Sequence, residues 1–152
     1  MSAGDARKPV ATGGCQCGAV RYAFYAPLEN AHVCHCRMCQ RATGGFAASF
    51  VYVPVAAVTW DGEPDWYMSS PIARRPFCSG CGTPLGFRYN EADHMDLTVG
   101  SFDDPSHFVP TQHTGAEGMH EAWLDTSALP RQRSDETSVA DRWKAAGLEM
   151  PN

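Results

Sequence analysis

Seven cysteines fall into three tight clusters, and this grouping constrains the fold more than any other feature of the chain. They read Cys15-Gln16-Cys17, Cys34-His35-Cys36-Arg37-Met38-Cys39 and Cys78-Ser79-Gly80-Cys81, with none outside a cluster. Thiols separated by one or two residues can reach one tetrahedral ion together, so these are the spacings of thiolate metal sites. A closed structural zinc site takes four protein ligands; a catalytic one takes three and keeps a position open. A set of four and a set of three use every thiol.

The first and last clusters share a detail. Cys17 is followed by Gly18 and Cys81 by Gly82, and glycine tolerates the positive φ of a turn that aims backbone N–H groups at sulfur. Paired, Cys15, Cys17, Cys78 and Cys81 make a structural site that joins the N-terminal strand to the middle of the chain. Zinc there contributes on the order of 10 kcal/mol to folding; iron in the same four ligands is the alternative. The middle cluster offers only Cys34, Cys36 and Cys39. Its fourth position belongs to water, to a histidine (His32, His35, His94, His107, His113 or His120), or to an incoming ligand. A histidine would make a second structural site, although His35, between two ligands, should point away from their metal. An open position suits a thiol, because coordination deprotonates it and holds a nucleophile ready at neutral pH.

At 152 residues the chain is expected to be one domain, or one domain with a tail, able to bury about 68–70% of its unfolded surface without disulfides. Met1 to Gly14 lacks an apolar stretch of signal-peptide length, and no later segment has membrane-spanning length. With an odd cysteine count, this points to a reducing compartment and a soluble, cytoplasmic protein. The net charge of −5 falls to about −8 with both sets metallated. Lys8 and Lys144 are the only lysines and no basic run exists. Neither nucleic acid nor a membrane is therefore an expected partner. Arg37, Arg41, Arg74, Arg75 and Arg88 lie close in sequence to the clusters, where some could attract a small anion.

Period-two alternation predicts strands at Val20–Phe24 and around Met95, Leu97 and Val99. Further strands are expected over 46–53, 65–68, 72–77 and 84–89, separated by Gly/Pro/Asp turns. A short helix is expected from Cys39 to Gly44-Gly45. Another, capped by Ser134 or Asp135, carries Val139, Trp143 and Ala146 on one face and closes at Gly147. The fold class is thus mainly β, with a short C-terminal helix.

In this order the motifs resemble the glutathione-dependent formaldehyde-activating enzyme (GFA) family, whose relatives include centromere protein V. The resemblance opens with Gly13-Gly14-Cys15-Gln16-Cys17-Gly18-Ala19-Val20-Arg21-Tyr22. It continues through Cys34-His35-Cys36-Arg37-Met38-Cys39-Gln40-Arg41-Ala42-Thr43-Gly44 and Phe77-Cys78-Ser79-Gly80-Cys81-Gly82-Thr83-Pro84-Leu85. Thr98-Val99-Gly100-Ser101-Phe102-Asp103-Asp104-Pro105, Pro110, His113, Trp123 and Leu129-Pro130 complete it. It implies an Mss4-like folded-over antiparallel β-sheet domain over 13–131, an N-terminal tail over 1–12 and a helical tail over 132–152. It also implies two zinc ions, one structural on Cys15, Cys17, Cys78 and Cys81, the other catalytic on Cys34, Cys36 and Cys39. The implied activity is carbon–sulfur lyase chemistry between glutathione and formaldehyde, giving S-hydroxymethylglutathione. Arg37 and Arg41 are then the candidate glutathione contacts, with Arg75 a third, and His113 the candidate catalytic group at the developing alkoxide, its alternative role being only a hydrogen bond to a loop. His35 is expected to orient the loop through its backbone, and Trp60 and Trp123 to belong to the core. The alternative function is a non-catalytic zinc module that binds a small thiol or a protein partner. Two positions depart from the family pattern: Arg41 stands alone where relatives carry a basic pair, and Gly115 and Gly118 interrupt a segment that is usually apolar.

Overall fold

The computed structural model describes residues 7–151 and forms two compact units, divided between Met119 and His120. Residues 1–6 of the expected N-terminal tail, and Asn152, lie outside the described residues. In chain order, the elements of the first unit are β1 (Ala11–Gly14), β2 (Arg21–Phe24), β3 (Ala31–Cys34), α1 (Arg37–Thr43), β4 (Ala48–Pro54), β5 (Val58–Asp61), β6 (Asp65–Ser70), β7 (Ala73–Phe77), β8 (Gly86–Tyr89), β9 (His94–Thr98) and β10 (Pro110–Thr114). Three strands make a small antiparallel sheet in the order β1-β2-β5, and seven make a larger one in the order β10-β3-β4-β9-β8-β7-β6. The mainly β class expected from the alternation is what forms. The larger sheet has one parallel pair, β10 on β3.

Alternation decides what each face of the larger sheet carries. Val51 and Val53 of β4 and Met95 and Leu97 of β9 are buried in one cluster with Tyr22 and Phe24 of β2, Phe102 and Phe108. Burial of each such large side chain is worth about 1.5–3 kcal/mol. The intervening residues face the other way. Ala48 and Phe50 pack with Cys39 of α1, while His32, Phe50 and Asp96 line a cavity on that second face. Trp60 joins the core edge-on to Tyr22, with ring centroids 5.5 Å apart.

The helix α1 begins two residues before the expected Cys39. Cys36 supplies the reason: its Sγ accepts the N–H of Cys39 at 3.3 Å, the capping role that a serine or aspartate oxygen usually fills. Gly44, at φ 75°, ends the helix as expected.

The second unit, described by itself, consists of tight turns and α2 (Ser138–Ala145). Its cap is Thr137, which accepts the N–H of Val139 at 3.3 Å; Ser134 and Asp135, expected to cap, sit in a separate 3₁₀ turn. A hydroxyl one residue before the first helical turn reaches a free N–H that residues farther upstream cannot. Trp123, expected in a core, is 57% exposed. Among the described residues no helix is long and apolar enough to cross a membrane.

Candidate metal centres

The first and last cysteine clusters meet. The sulfurs of Cys15, Cys17, Cys78 and Cys81 all lie within 4.8 Å of one another, with Cys15–Cys17 at 3.5 Å and Cys17–Cys78 at 3.7 Å. Four sulfurs about 2.3 Å from one zinc stand about 3.8 Å apart, whereas a disulfide needs about 2.05 Å. All seven cysteines are free thiols. The two loops have the expected form, with Gly18 at φ 81° and Gly82 at φ 79°. Polar hydrogens converge on the sulfurs: the Val20 N–H donates to Cys15 at 3.3 Å, and the Thr83 hydroxyl lies 3.1 Å from Cys81. Thr83 and nearby backbone N–H groups pull the Cys81 thiol down to about 5. At Cys17 the Ala19 N–H acts downward, but competition with Cys15, Cys78 and Cys81 wins and lifts the thiol to about 11. Four thiols this close compete for ionisation, and a divalent cation relieves that competition by ionising all of them. The donor set fits a soft tetrahedral ion.

The middle cluster is built around the end of β3 and the start of α1. Cys34, Cys36 and Cys39 place their sulfurs within 4.8 Å of one another, and no other His, Cys, Asp or Glu joins this set among the described residues. Burial pushes the Cys39 thiol up to about 12, against the opposing pull of Arg75, whose guanidinium donates to its sulfur at 3.4 Å. Arg75 is itself buried, stacked over Phe87 at 4.8 Å. The loop is held from behind. The His35 N–H donates to the Thr114 carbonyl, and the Gln40 side-chain amide donates to the carbonyls of His35 and Gly118, each at 2.9 Å. The His35 ring is fully buried, and its Nε2 lies 2.8 Å from Nδ1 of His113.

The two glycines that interrupt the 113–119 segment are explained by this packing. A Cβ on Gly115 would lie 2.6 Å from the Cys36 nitrogen, and one on Gly118 would lie 2.2 Å from the His35 carbonyl oxygen. Neither position has room for a side chain.

A cavity of ≈370 Å³ opens directly onto the middle cluster. Its wall includes all three thiols, the apolar side chains of Met38, Phe50, Ile72 and Phe87, and the polar groups of His32, Arg75 and Asp96. The residues expected at this site fare unequally. Arg75 lines the cavity. Arg41 lines a shallow neighbouring depression with Met38, Tyr67, Met68, Ser69 and Arg75. Arg37 is turned to Gln40, donating to its Oε1 at 2.5 Å, and does not line the cavity. His113, expected at the alkoxide, is not on the cavity wall either. Thr114, opposite Cys34 in register, takes that side, so alternation sends the His113 ring to the other face of β10, against His35. Asp96 was not legible as a site residue, because in Met95-Asp96-Leu97 it reads as the exposed partner in a half-buried strand.

The sequence profile of the family described as glutathione-dependent formaldehyde-activating enzyme matches residues 10–137. A protein of Schizosaccharomyces pombe described as an uncharacterized lyase is 30% identical over 81 residues, a match that spans 53% of this chain and 59% of that protein. A crystal structure of a Rhodobacter sphaeroides protein superposes with a TM-score of 0.54 at 20% identity, covering 68% of this chain and 99% of the other; at that identity the likeness concerns the fold. The profile covers most of the sequence, cysteine clusters included, and the chain belongs to the glutathione-dependent formaldehyde-activating enzyme family.

Proposed function

We propose that the protein is a zinc-dependent carbon–sulfur lyase acting on a thiol–aldehyde adduct, with glutathione as the thiol and formaldehyde as the aldehyde. The observation that carries this reading is the three-thiol set of Cys34, Cys36 and Cys39 on the wall of a cavity large enough for a small substrate. Family membership supports the glutathione and formaldehyde pair. Cys34, Cys36 and Cys39 would hold one zinc ion, and Cys15, Cys17, Cys78 and Cys81 a second, structural one; bound at the middle set, the ion would supply the acidity that ionises an incoming thiol at neutral pH.

In the addition, the thiolate sulfur attacks the aldehyde carbon. A C–S bond forms, the C=O π pair moves to oxygen, and that oxygen takes a proton to give the S-hydroxymethyl group. Cleavage is the reverse, and neither direction needs an oxidant or reductant. Arg75 offsets negative charge at Cys39 and forms the wall shared with the depression that carries Arg41, where a glutathione carboxylate fits a guanidinium pair. Arg37 supports the loop through Gln40. His113 serves by positioning His35, and with it the ligand loop. Accessible thiolate ligands suit a reducing compartment such as the cytoplasm.

Titrating cobalt-substituted protein with glutathione tests the reading. The expected result is a saturable change in the ligand-field bands, lost in Cys36→Ser, together with turnover of S-hydroxymethylglutathione. Unchanged bands would overturn it. A change without turnover would favour the non-catalytic thiol-binding module.

A further inference from the structure

Adduct chemistry moves a proton between the thiol and the aldehyde oxygen, and the three cysteines are committed as ligands in the reading above. The cavity wall offers one carboxyl group, Asp96 on β9. Its side chain is only 16% exposed, and its Oδ1 is buried without a hydrogen bond from the protein. A buried carboxylate oxygen with no donor is costly, and on a cavity wall it is placed to meet a ligand. The position is fixed from both sides. Met95 and Leu97 are locked into the core and drive Asp96 to the opposite face, while Phe87 of β8 and Tyr52 of β4 are its register partners.

We propose that Asp96 is a catalytic residue of this site, giving its proton to the aldehyde oxygen as the C–S bond forms and taking it back when the bond breaks. The inference rests on the lyase reading and assigns the proton step within it. The balance closes: the proton leaving the thiol replaces, through solvent, the one that Asp96 delivers.

The groups facing Asp96 suit the task. His32 of β3 places its Nε2 3.7 Å from Oδ1, Arg75 projects from β7, and Tyr52 flanks from β4. The thiols of Cys34, Cys36 and Cys39 and the Tyr89 ring line the same cavity. Burial pushes the Asp96 carboxyl up to about 7, and the charge of Arg75 opposes this only in part. The group therefore carries its proton below about pH 7 and releases it above, the range in which a proton donor and acceptor works best near neutrality.

Asp96→Asn keeps the shape and removes the titration. Expected are a fall in kcat of about 10²–10⁴-fold, an unchanged KM for the thiol, unchanged zinc content and an unchanged cobalt response to glutathione. In the wild type, the rate of addition should fall as pH rises through about 7, and the variant should lack that limb. Stability gives an independent readout. A carboxyl with a raised folded pKa lowers stability as pH rises from its unfolded value towards its folded one, so the variant should melt higher than wild type at pH 8 and no higher at pH 4. Wild-type turnover combined with an Asp96→Asn variant of equal rate and pH profile overturns the assignment alone. Loss of zinc or of thiol binding in the variant also overturns it, by showing a structural role. A wild-type protein with neither a cobalt response nor turnover overturns both readings.

Discussion

A methyl group at residue 118 would press on a backbone oxygen instead of a yielding side chain, because the His35 carbonyl lies 2.2 Å from where that carbon would sit. The same carbonyl accepts the amide of Gln40, so Gly118→Ala should shift the whole ligand loop and not one rotamer. We expect the variant to stay folded, to lose most of the metal from the middle site and to lose up to about 10²-fold in activity, as a misplacement of about 1 Å can cost; metal analysis and an activity assay of the purified protein check this. Arg75→Met should weaken the same site differently, by removing the positive charge beside Cys39 while sparing the loop. Zinc retention in a competition with a chromophoric chelator would fall in Arg75→Met with the backbone unchanged. At this scale the sequence was most legible where chemistry depends on residue type and spacing: the cysteines, their partition and the two Cys-Gly turns. It was least legible where chemistry depends on which side of a strand a residue takes. His113 and Asp96 are both polar residues in strands, and only strand register shows that one faces away from the cavity and the other into it.

β10 pairs in parallel with β3, residue 114 opposite residue 34, and this pairing closes the back of the middle cluster. Parallel neighbours come from distant parts of the chain, and Pro110-Thr111-Gln112-His113-Thr114 has no apolar alternation to announce a strand. β1, β3 and β5 have at most two apolar positions in alternation and were not readable, whereas β2 and β8, equally short, were, because Val20 and Leu85 extend their alternation to a third. Strands whose alternation runs over three apolar positions were readable to within a few positions, as Met95, Leu97 and Val99 at β9 and Ala48, Phe50 and Tyr52 in β4 show. Besides the backbone bond from the His35 N–H to the Thr114 carbonyl, a side-chain contact, His35–His113, ties β10 to the ligand loop, so His113→Ala should loosen the loop without touching the proton step. A kcat reduced severalfold, with the pH dependence of the wild type intact, is the expected result. Steady-state kinetics across pH would separate this from Asp96→Asn, whose profile should flatten.

At the scale of the whole molecule the two thiol sets carry unequal weight. The four-thiol set ties the loop after β1 to the loop after β7, and on the order of 10 kcal/mol from a structural zinc is comparable with the entire 5–15 kcal/mol stability of a domain. Cys81→Ser should therefore unfold the protein, and Cys36→Ser should leave a folded protein with one zinc and no activity; circular dichroism with metal counting checks both. The clamp on the ligand loop has a consequence for biosynthesis. Cys34, Cys36 and Cys39 emerge from the ribosome early, whereas Thr114 and Gly118, which hold their loop from behind, emerge roughly eighty residues later. The structural set is complete once Cys81 is out, well before that. On the two-zinc reading proposed above, a nascent chain would pass through an interval in which one metal knot is tied and three neighbouring thiols stand without their backing. Those three thiols would then be open to oxidation during synthesis in a way that the finished fold, with Thr114 and Gly118 in place behind them, is not.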